Sequence, residues 1–184
     1  MPDINPGSRL LLGTVGWERP DWLQGYYPDD LPPEWRLAYY ANDCGCVVLS
    51  AETWALADPE RLQDQLHEAQ GRLVYFLEAV LPGGPGGANL ALFEPYPAVL
   101  LVDRPDPLLA GFPQWIDQGP GVWVDVDSPA ALLKWSIDSM DMRALRARAE
   151  SLGAGVRALV LDGAGADPGG VPRLRALLEL LGRA

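Results

Sequence analysis

The stretch Gly13-Thr14-Val15-Gly16-Trp17, followed by Trp22, Gly25-Tyr26-Tyr27-Pro28, Leu31-Pro32 and Trp35-Arg36-Leu37-Ala38-Tyr39-Tyr40-Ala41, decides the reading of this chain. It begins inside an apolar run, Arg9 to Val15, that reads as a buried strand. Glycines and aromatics then stand between the end of that strand and the next helix, read over Glu34 to Cys44 behind Pro32-Pro33. The alternation continues outward. Cys46 to Glu52 reads as a second strand. Asp58 caps a helix with Pro59 at its first position and Leu62, Leu66 and Ala69 on one face. Leu73 to Val80 is a third strand, Pro82 to Gly87 a turn region and Ala88 to Phe93 a short helix. Ala98 to Asp103 is a fourth strand and Leu108 to Ile116 a broken helix. Val122 to Asp127 is a fifth strand. Ser128-Pro129 then starts a helix running to Ser151, kinked near Ser139. Arg157 to Asp162 is a sixth strand and Val171 to Leu181 the last helix.

Strands separated by helices predict a parallel sheet with right-handed crossovers. Their continuous apolar runs predict cover on both faces. With 184 residues, a single domain over 1–184 is expected. Six clear strands in that length fall short of the roughly 250 residues typical of an eight-fold barrel. The expectation is an α/β chain with a reduced or distorted TIM-barrel-like (β/α) fold of about six to eight mostly parallel strands. An open doubly wound parallel sheet is the alternative.

The net charge of −11 and the lack of a basic patch argue against nucleic acid and against an anionic membrane surface as partners. Lys134 is the only lysine among 14 basic residues, a skew read as genome composition. Cys44 and Cys46 flank Gly45, too short a loop for an unstrained disulfide, and His67 is the only histidine. Reduced, buried thiols are therefore expected, with no metal and no cofactor. Met1 to Asn5 does not resemble a signal peptide and no apolar run reaches membrane-spanning length, so a cytoplasmic setting is expected.

Carboxylates recur at the strand ends: Glu52, Glu78, Asp103, Asp125 with Asp127, and Asp162. In a parallel sheet those ends converge on one rim, where ligands bind. Such a ring could hold a polyhydroxyl or cationic ligand, or an acid/base pair. The competing reading is that these residues cap helices or face solvent. Trp123, Asp125 and Asp127 share one face of the fifth strand, and Asp125 would point inward with Arg104 or Arg157 as partner. Trp17, Trp22, Tyr26, Tyr27 and Trp54 follow the first two strands and either face a sugar-like or cationic ligand or plug one end and anchor a loop. No phosphate loop or dinucleotide motif is present, and no histidine stands ready to activate a nucleophile.

The opening segment resembles the YecE-like family, also known as domain of unknown function 72. The resemblance rests on Gly13-Thr14-Val15-Gly16-Trp17, Trp22-Leu23-Gln24-Gly25-Tyr26-Tyr27-Pro28, Leu31-Pro32 and Leu37-Ala38-Tyr39-Tyr40-Ala41, and continues weakly to about residue 80. It implies a TIM-barrel-like fold and carries no established reaction. The departures imply a shortened, divergent member. The family's Glu-x-Asn and Thr-Phe-Tyr after the second strand are replaced by Val48-Leu49-Ser50 and Thr53-Trp54. Its lysine near the end of the third strand is replaced by Glu78, and its Arg-x-His-Gly motif is missing. The expectation is thus a non-catalytic binding or interaction module, with a small polar ligand or a second copy as partner. The alternative is a hydrolase or isomerase acting at a pocket of Trp17, Trp22, Tyr27, Glu52, Trp54, Glu78, Asp103, Arg104, Trp123, Asp125 and Asp162.

Overall fold

The structure, a computed structural model, describes residues 9–79 and 87–183. The N-terminal residues read for a leader and most of the expected glycine-proline turn lie outside these. Eight strands close into a barrel in sequence order: β1 (Leu11–Val15), β2 (Cys46–Leu49), β3 (Val74–Glu78), β4 (Ala98–Val102), β5 (Gln114–Gly119), β6 (Val122–Asp125), β7 (Ala131–Ser136) and β8 (Val156–Asp162). The helices are α1 (Arg36–Tyr40), α2 (Ala51–Ala55), α3 (Pro59–Ala69), α4 (Gly87–Ala91), α5 (Met142–Glu150) and α6 (Val171–Leu180). β1 pairs with both β2 and β8, so the sheet has no free edge and the doubly wound alternative is excluded. Among the described residues no helix is long and apolar enough to cross a membrane.

All neighbouring strands run parallel except around β6, which is antiparallel to β5 and to β7. That reversal explains how eight strands fit 184 residues. Two tight connections replace two crossover helices, each of which needs a dozen or more residues.

It also corrects two sequence expectations. Residues 108–116 are not a broken helix. Pro107–Leu109 form one 3-10 turn, and the chain then enters β5 at Gln114. Pro113 removes an N–H that a helix needs there and biases Phe112 towards extended backbone. Residues 128–151 are not one helix either. Ala131–Ser136 form β7, with Leu132 and Lys134 on the inner face and Ala131, Leu133 and Trp135 on the outer. The true helix start is Asp141, whose carboxylate accepts from Arg143 N–H at 2.9 Å. The second strand is shorter than expected. Ser50 caps α2, which places Glu52 in the first turn of that helix.

The barrel is packed solid. Cys46, Val48, Phe76, Val99, Leu101, Trp115, Trp123, Leu132, Ala158 and Val160 form its interior. The Phe76 and Trp115 rings sit 5.3 Å apart. The second apolar layer lies between sheet and helices, where Leu62, Leu66 and Ala69 of α3 are fully buried. Each such leucine contributes roughly 2 kcal/mol.

The opening motif has a structural logic at the β1–β2 seam. A Cβ on Gly13 would lie 1.9 Å from the Cys46 carbonyl oxygen, so only glycine lets the strands approach. One residue later the Tyr40 hydroxyl is spliced into the ladder. It accepts from Thr14 N–H at 2.8 Å and donates to the Cys46 carbonyl at 2.9 Å. Regular pairing resumes at Gly16 N–H to Val48 O, 2.8 Å. Gly16 itself takes a left-handed conformation, φ +70°, and its carbonyl accepts from Thr14 Oγ1 at 2.8 Å.

Tyr40→Phe should therefore orphan two buried backbone groups, at about 1–3 kcal/mol each. A urea midpoint lowered by roughly 1 M or more at unchanged m-value is expected. A midpoint within error of wild type would show that the splice is dispensable.

Candidate functional site

Strand polarity decides which side chains meet. β3, β4, β7 and β8 end on one rim, together with the β5–β6 turn. On their inner faces, Glu78 follows Val74 and Phe76, Asp162 follows Ala158 and Val160, and Lys134 follows Leu132. Above the packed interior, Lys134 Nζ therefore stands between two carboxylates, 3.9 Å from Glu78 Oε1 and 4.0 Å from Asp162 Oδ2. It lies over the Trp123 ring at 5.4 Å from the centroid.

The three charged side chains are 27%, 34% and 40% exposed in the order Lys134, Glu78, Asp162, half sunk in the mouth and open to solvent. The separations are too long for direct hydrogen bonds. Among the described residues Lys134 Nζ makes none, and neither does the Glu78 carboxylate. Asp162 Oδ1 accepts from Gly163 N–H at 2.7 Å, which fixes that carboxylate while leaving Oδ2 towards the lysine. The arrangement keeps three ammonium donors and several carboxylate lone pairs unspent around one small space.

The surroundings are rigid. Lys134 N–H donates to Gly121 O at 2.7 Å, and a Cβ on Gly121 would lie 2.7 Å from the Lys134 carbonyl. Across the rim, Arg19 Nη1 donates to Gly163 O at 2.7 Å, tying the loop after β1 to the loop after β8.

Of the residues expected to form a pocket, Glu78, Trp123 and Asp162 come together, with Lys134 as the member that sequence reasoning missed. Asp103 and Arg104 are exposed and line a neighbouring cleft of about 630 Å³ at the end of β4, which also touches Leu101 and Ala79. The remaining carboxylates do not join them. Glu52 is exposed on α2. Asp125 ends the reversed strand β6 and so lies at the opposite rim, a correction to the expected convergence. No arginine is needed to hold it there, because its carboxylate accepts from Ser128 Oγ at 2.6 Å and from Asp127 N–H at 3.3 Å.

The aromatics pack in the outer layer. Trp17, Trp22, Tyr27 and Trp54 are buried with the helices. Trp22 Nε1 donates to Ala166 O at 2.9 Å, Trp54 Nε1 to Glu78 O at 3.0 Å, and the Tyr27 hydroxyl to Trp17 O. In this arrangement they anchor the loops that frame the mouth. Trp54 also braces the backbone of Glu78.

Other reactive groups stand apart. Cys44 and Cys46 are free and buried, and burial pushes the Cys44 thiol up to about 12 and the Cys46 thiol well above its ordinary range. His67 is exposed on α3, outside the barrel. Among the described residues no three His, Cys, Asp or Glu side chains gather so as to hold a metal ion.

Residues 11–80 match the family described as protein of unknown function DUF72, another name for the YecE-like family. The resemblance carried by the opening motif thus holds over that segment. Among solved structures, the chain is similar to a DUF72 family protein from Thermotoga maritima, with 13% identity and a TM-score of 0.46 over 94% of this chain and 100% of the other. It is also similar to one from Enterococcus faecalis, with 10% identity and a TM-score of 0.35 over 98% of this chain and 100% of the other. No curated protein matches the sequence.

Proposed function

We propose that this barrel is a binding module that takes a small, neutral polyhydroxyl molecule at its carboxyl-end mouth. The observation that carries this reading is Lys134, placed 3.9 and 4.0 Å from Glu78 and Asp162 with no side-chain hydrogen bond among the described residues. A hydroxyl both donates and accepts, so one hydroxyl can bridge an ammonium and a carboxylate across a gap of this size, and a vicinal pair can engage all three groups. An anion would meet two carboxylates for one ammonium, and a simple cation would meet the ammonium. Neutral polyols avoid both penalties.

The reading as a binder rather than a catalyst is supported by what surrounds the trio. The thiols are buried away from it and the histidine lies outside the barrel. Reduced thiols and an acidic surface support a cytoplasmic setting.

The test is a thermal-shift and calorimetric screen with pentoses, hexoses and linear polyols, run beside amino acids and inorganic anions. A polyol at 100 times its Kd should stabilise the protein by about 2.7 kcal/mol. Lys134→Met and Glu78→Gln should each weaken that polyol at least 10-fold, the loss of about 1.4 kcal/mol or more expected when one charged hydrogen-bond partner goes. Binding unchanged in both variants would refute the site. Conversion of the bound sugar to product would refute the non-catalytic reading alone.

A further inference from the structure

The outer wall of the barrel is unevenly covered. Helices follow β1, β2, β3, β7 and β8, whereas β4 leads only into the turn at Pro107–Leu109 and β5, β6 and β7 connect directly. The outward side chains of β5 and β6 are consequently without a helix of their own. Ile116, Val122 and Val124 are half-buried, and Val126, next in the same row, is 50% exposed. At the bottom of the wall this row runs into a cleft of about 530 Å³, whose apolar lining includes Tyr96, Ala98, Phe112 and Val126.

The cleft has one sign of charge. Its charged lining residues are Glu94, Asp106 and Asp127, with no lysine or arginine among them. Asp106 is engaged locally, its carboxylate accepting from Leu108 N–H at 2.9 Å. The Glu94 and Asp127 carboxylates form no ion pair or hydrogen bond among the described residues, and both residues are exposed. An apolar floor with unneutralised carboxylates on its rim calls for an occupant that is apolar at its centre and basic at its edges.

We infer that this wall docks an amphipathic helix of a partner protein, its apolar stripe flanked by lysine or arginine. Elsewhere on this barrel the sheet is covered by helices that bury a narrow apolar stripe, as α3 does with Leu62, Leu66 and Ala69. A partner helix on β5 and β6 would complete the same layer, meeting Ile116, Val122, Val124 and Val126 with its stripe and Glu94 and Asp127 with its flanks. A second copy of the chain is the poorer occupant, because it would bring a net charge of −11 towards a wholly acidic cleft.

The test uses the full chain and a fluorescent 18-residue peptide of leucine and lysine patterned as an amphipathic helix. A scrambled peptide of the same composition is the control. The patterned peptide should bind at least 10-fold more tightly than the scrambled one. Val126→Lys, and separately the pair Glu94→Gln with Asp127→Asn, should each weaken it at least 10-fold. The pair Glu60→Gln with Asp64→Asn, on exposed positions of α3, should leave it within 2-fold. All of these positions are exposed, so the variants retain the fold, which circular dichroism confirms. Equal binding of the two peptides, or equal losses in wall and α3 variants, would mean non-specific charge attraction and would overturn the inference. So would a wild-type dimer in sedimentation that Val126→Lys dissociates, since a second copy would then own the wall.

Discussion

Gly13→Ala is expected to remove a large share of the stability of this fold. The new Cβ would lie 1.9 Å from the Cys46 carbonyl oxygen and 2.7 Å from its carbon, both backbone atoms of the paired strand. Contact distances would force β1 and β2 apart by more than 1 Å, and a parallel pair holds its strands at roughly 4.8 Å through its ladder. Separation also breaks the Tyr40 splice, since that hydroxyl spans Thr14 on one strand and Cys46 on the other. Ordinary overpacking costs about 1–3 kcal/mol because side chains can turn aside. Here a Cβ that no rotation can move meets backbone in a closed barrel, so a cost of about 4 kcal/mol or more is expected, a large share of a typical 5–15 kcal/mol.

Two nearby glycines calibrate this. Gly16→Ala meets nothing within 4 Å but must hold φ +70°, which costs roughly 1–2 kcal/mol. Gly45→Ala meets the Leu11 Cδ2 atom at 3.4 Å and the Leu12 nitrogen at 4.0 Å, both ordinary contacts, and should cost least. Soluble expression and urea midpoints should fall in the order Gly45, Gly16, Gly13. A cooperative transition for Gly13→Ala near the wild-type midpoint would contradict this account of the seam.

Where local pattern and tertiary role coincide, the sequence is readable. The runs ending at Val15, Leu49, Glu78, Val102 and Asp162 are strands because they are apolar on both faces, as a helix-covered barrel demands. Asp58-Pro59 marks a helix start because the cap and the proline act locally: Asp58 Oδ1 accepts from Arg61 N–H at 2.9 Å.

The failures fall between residues 108 and 140, where the wall has no helices. A strand covered on one side only does not read as a continuous apolar run. In β5, Trp115 points in while Asp117 and Gln118 are exposed. In β7, Ala131-Leu132-Leu133-Lys134 has good helix formers, and only its partners β6 and β8 make it a strand.

The same misreading hid the site. Taken as helical, Lys134 had no assigned place. On β7 it faces the mouth beside Glu78, which stands where the family resemblance implies a lysine. The reversal of β6, invisible to periodicity, sent Asp125 to the far rim while keeping Trp123 in the barrel.

The second large effect is alkaline collapse. Five buried acids are neutral in the fold. Burial pushes the Tyr27, Tyr40 and Tyr75 hydroxyls well above their ordinary 10.0, Cys44 from 9.0 to about 12, and Cys46 well above 9.0. A raised native value means that the folded state holds its protons after the unfolded chain has released them. Stability from these groups is complete below pH 9 and is lost as pH rises. Each group removes about 1.4 kcal/mol per pH unit once its unfolded counterpart ionises. The two thiols alone give about 3 kcal/mol per unit from pH 9, and all five give about 7 kcal/mol per unit above pH 10. A protein of ordinary stability then unfolds near pH 11, with Tyr27, Tyr40 and Tyr75 titrating together at that transition. Tyr75 sharpens the case, because among the described residues its buried hydroxyl has no hydrogen-bond partner and a phenolate there would meet no donor from them. The measurement is a parallel pH titration of tyrosinate absorbance and near-ultraviolet circular dichroism. Coincident, steep transitions are expected. Ionisation of Tyr27, Tyr40 and Tyr75 themselves around pH 10 with the tertiary signal intact would mean that water reaches these hydroxyls in the native barrel, and the packing described for the β1–β2 seam and the outer layer would be wrong.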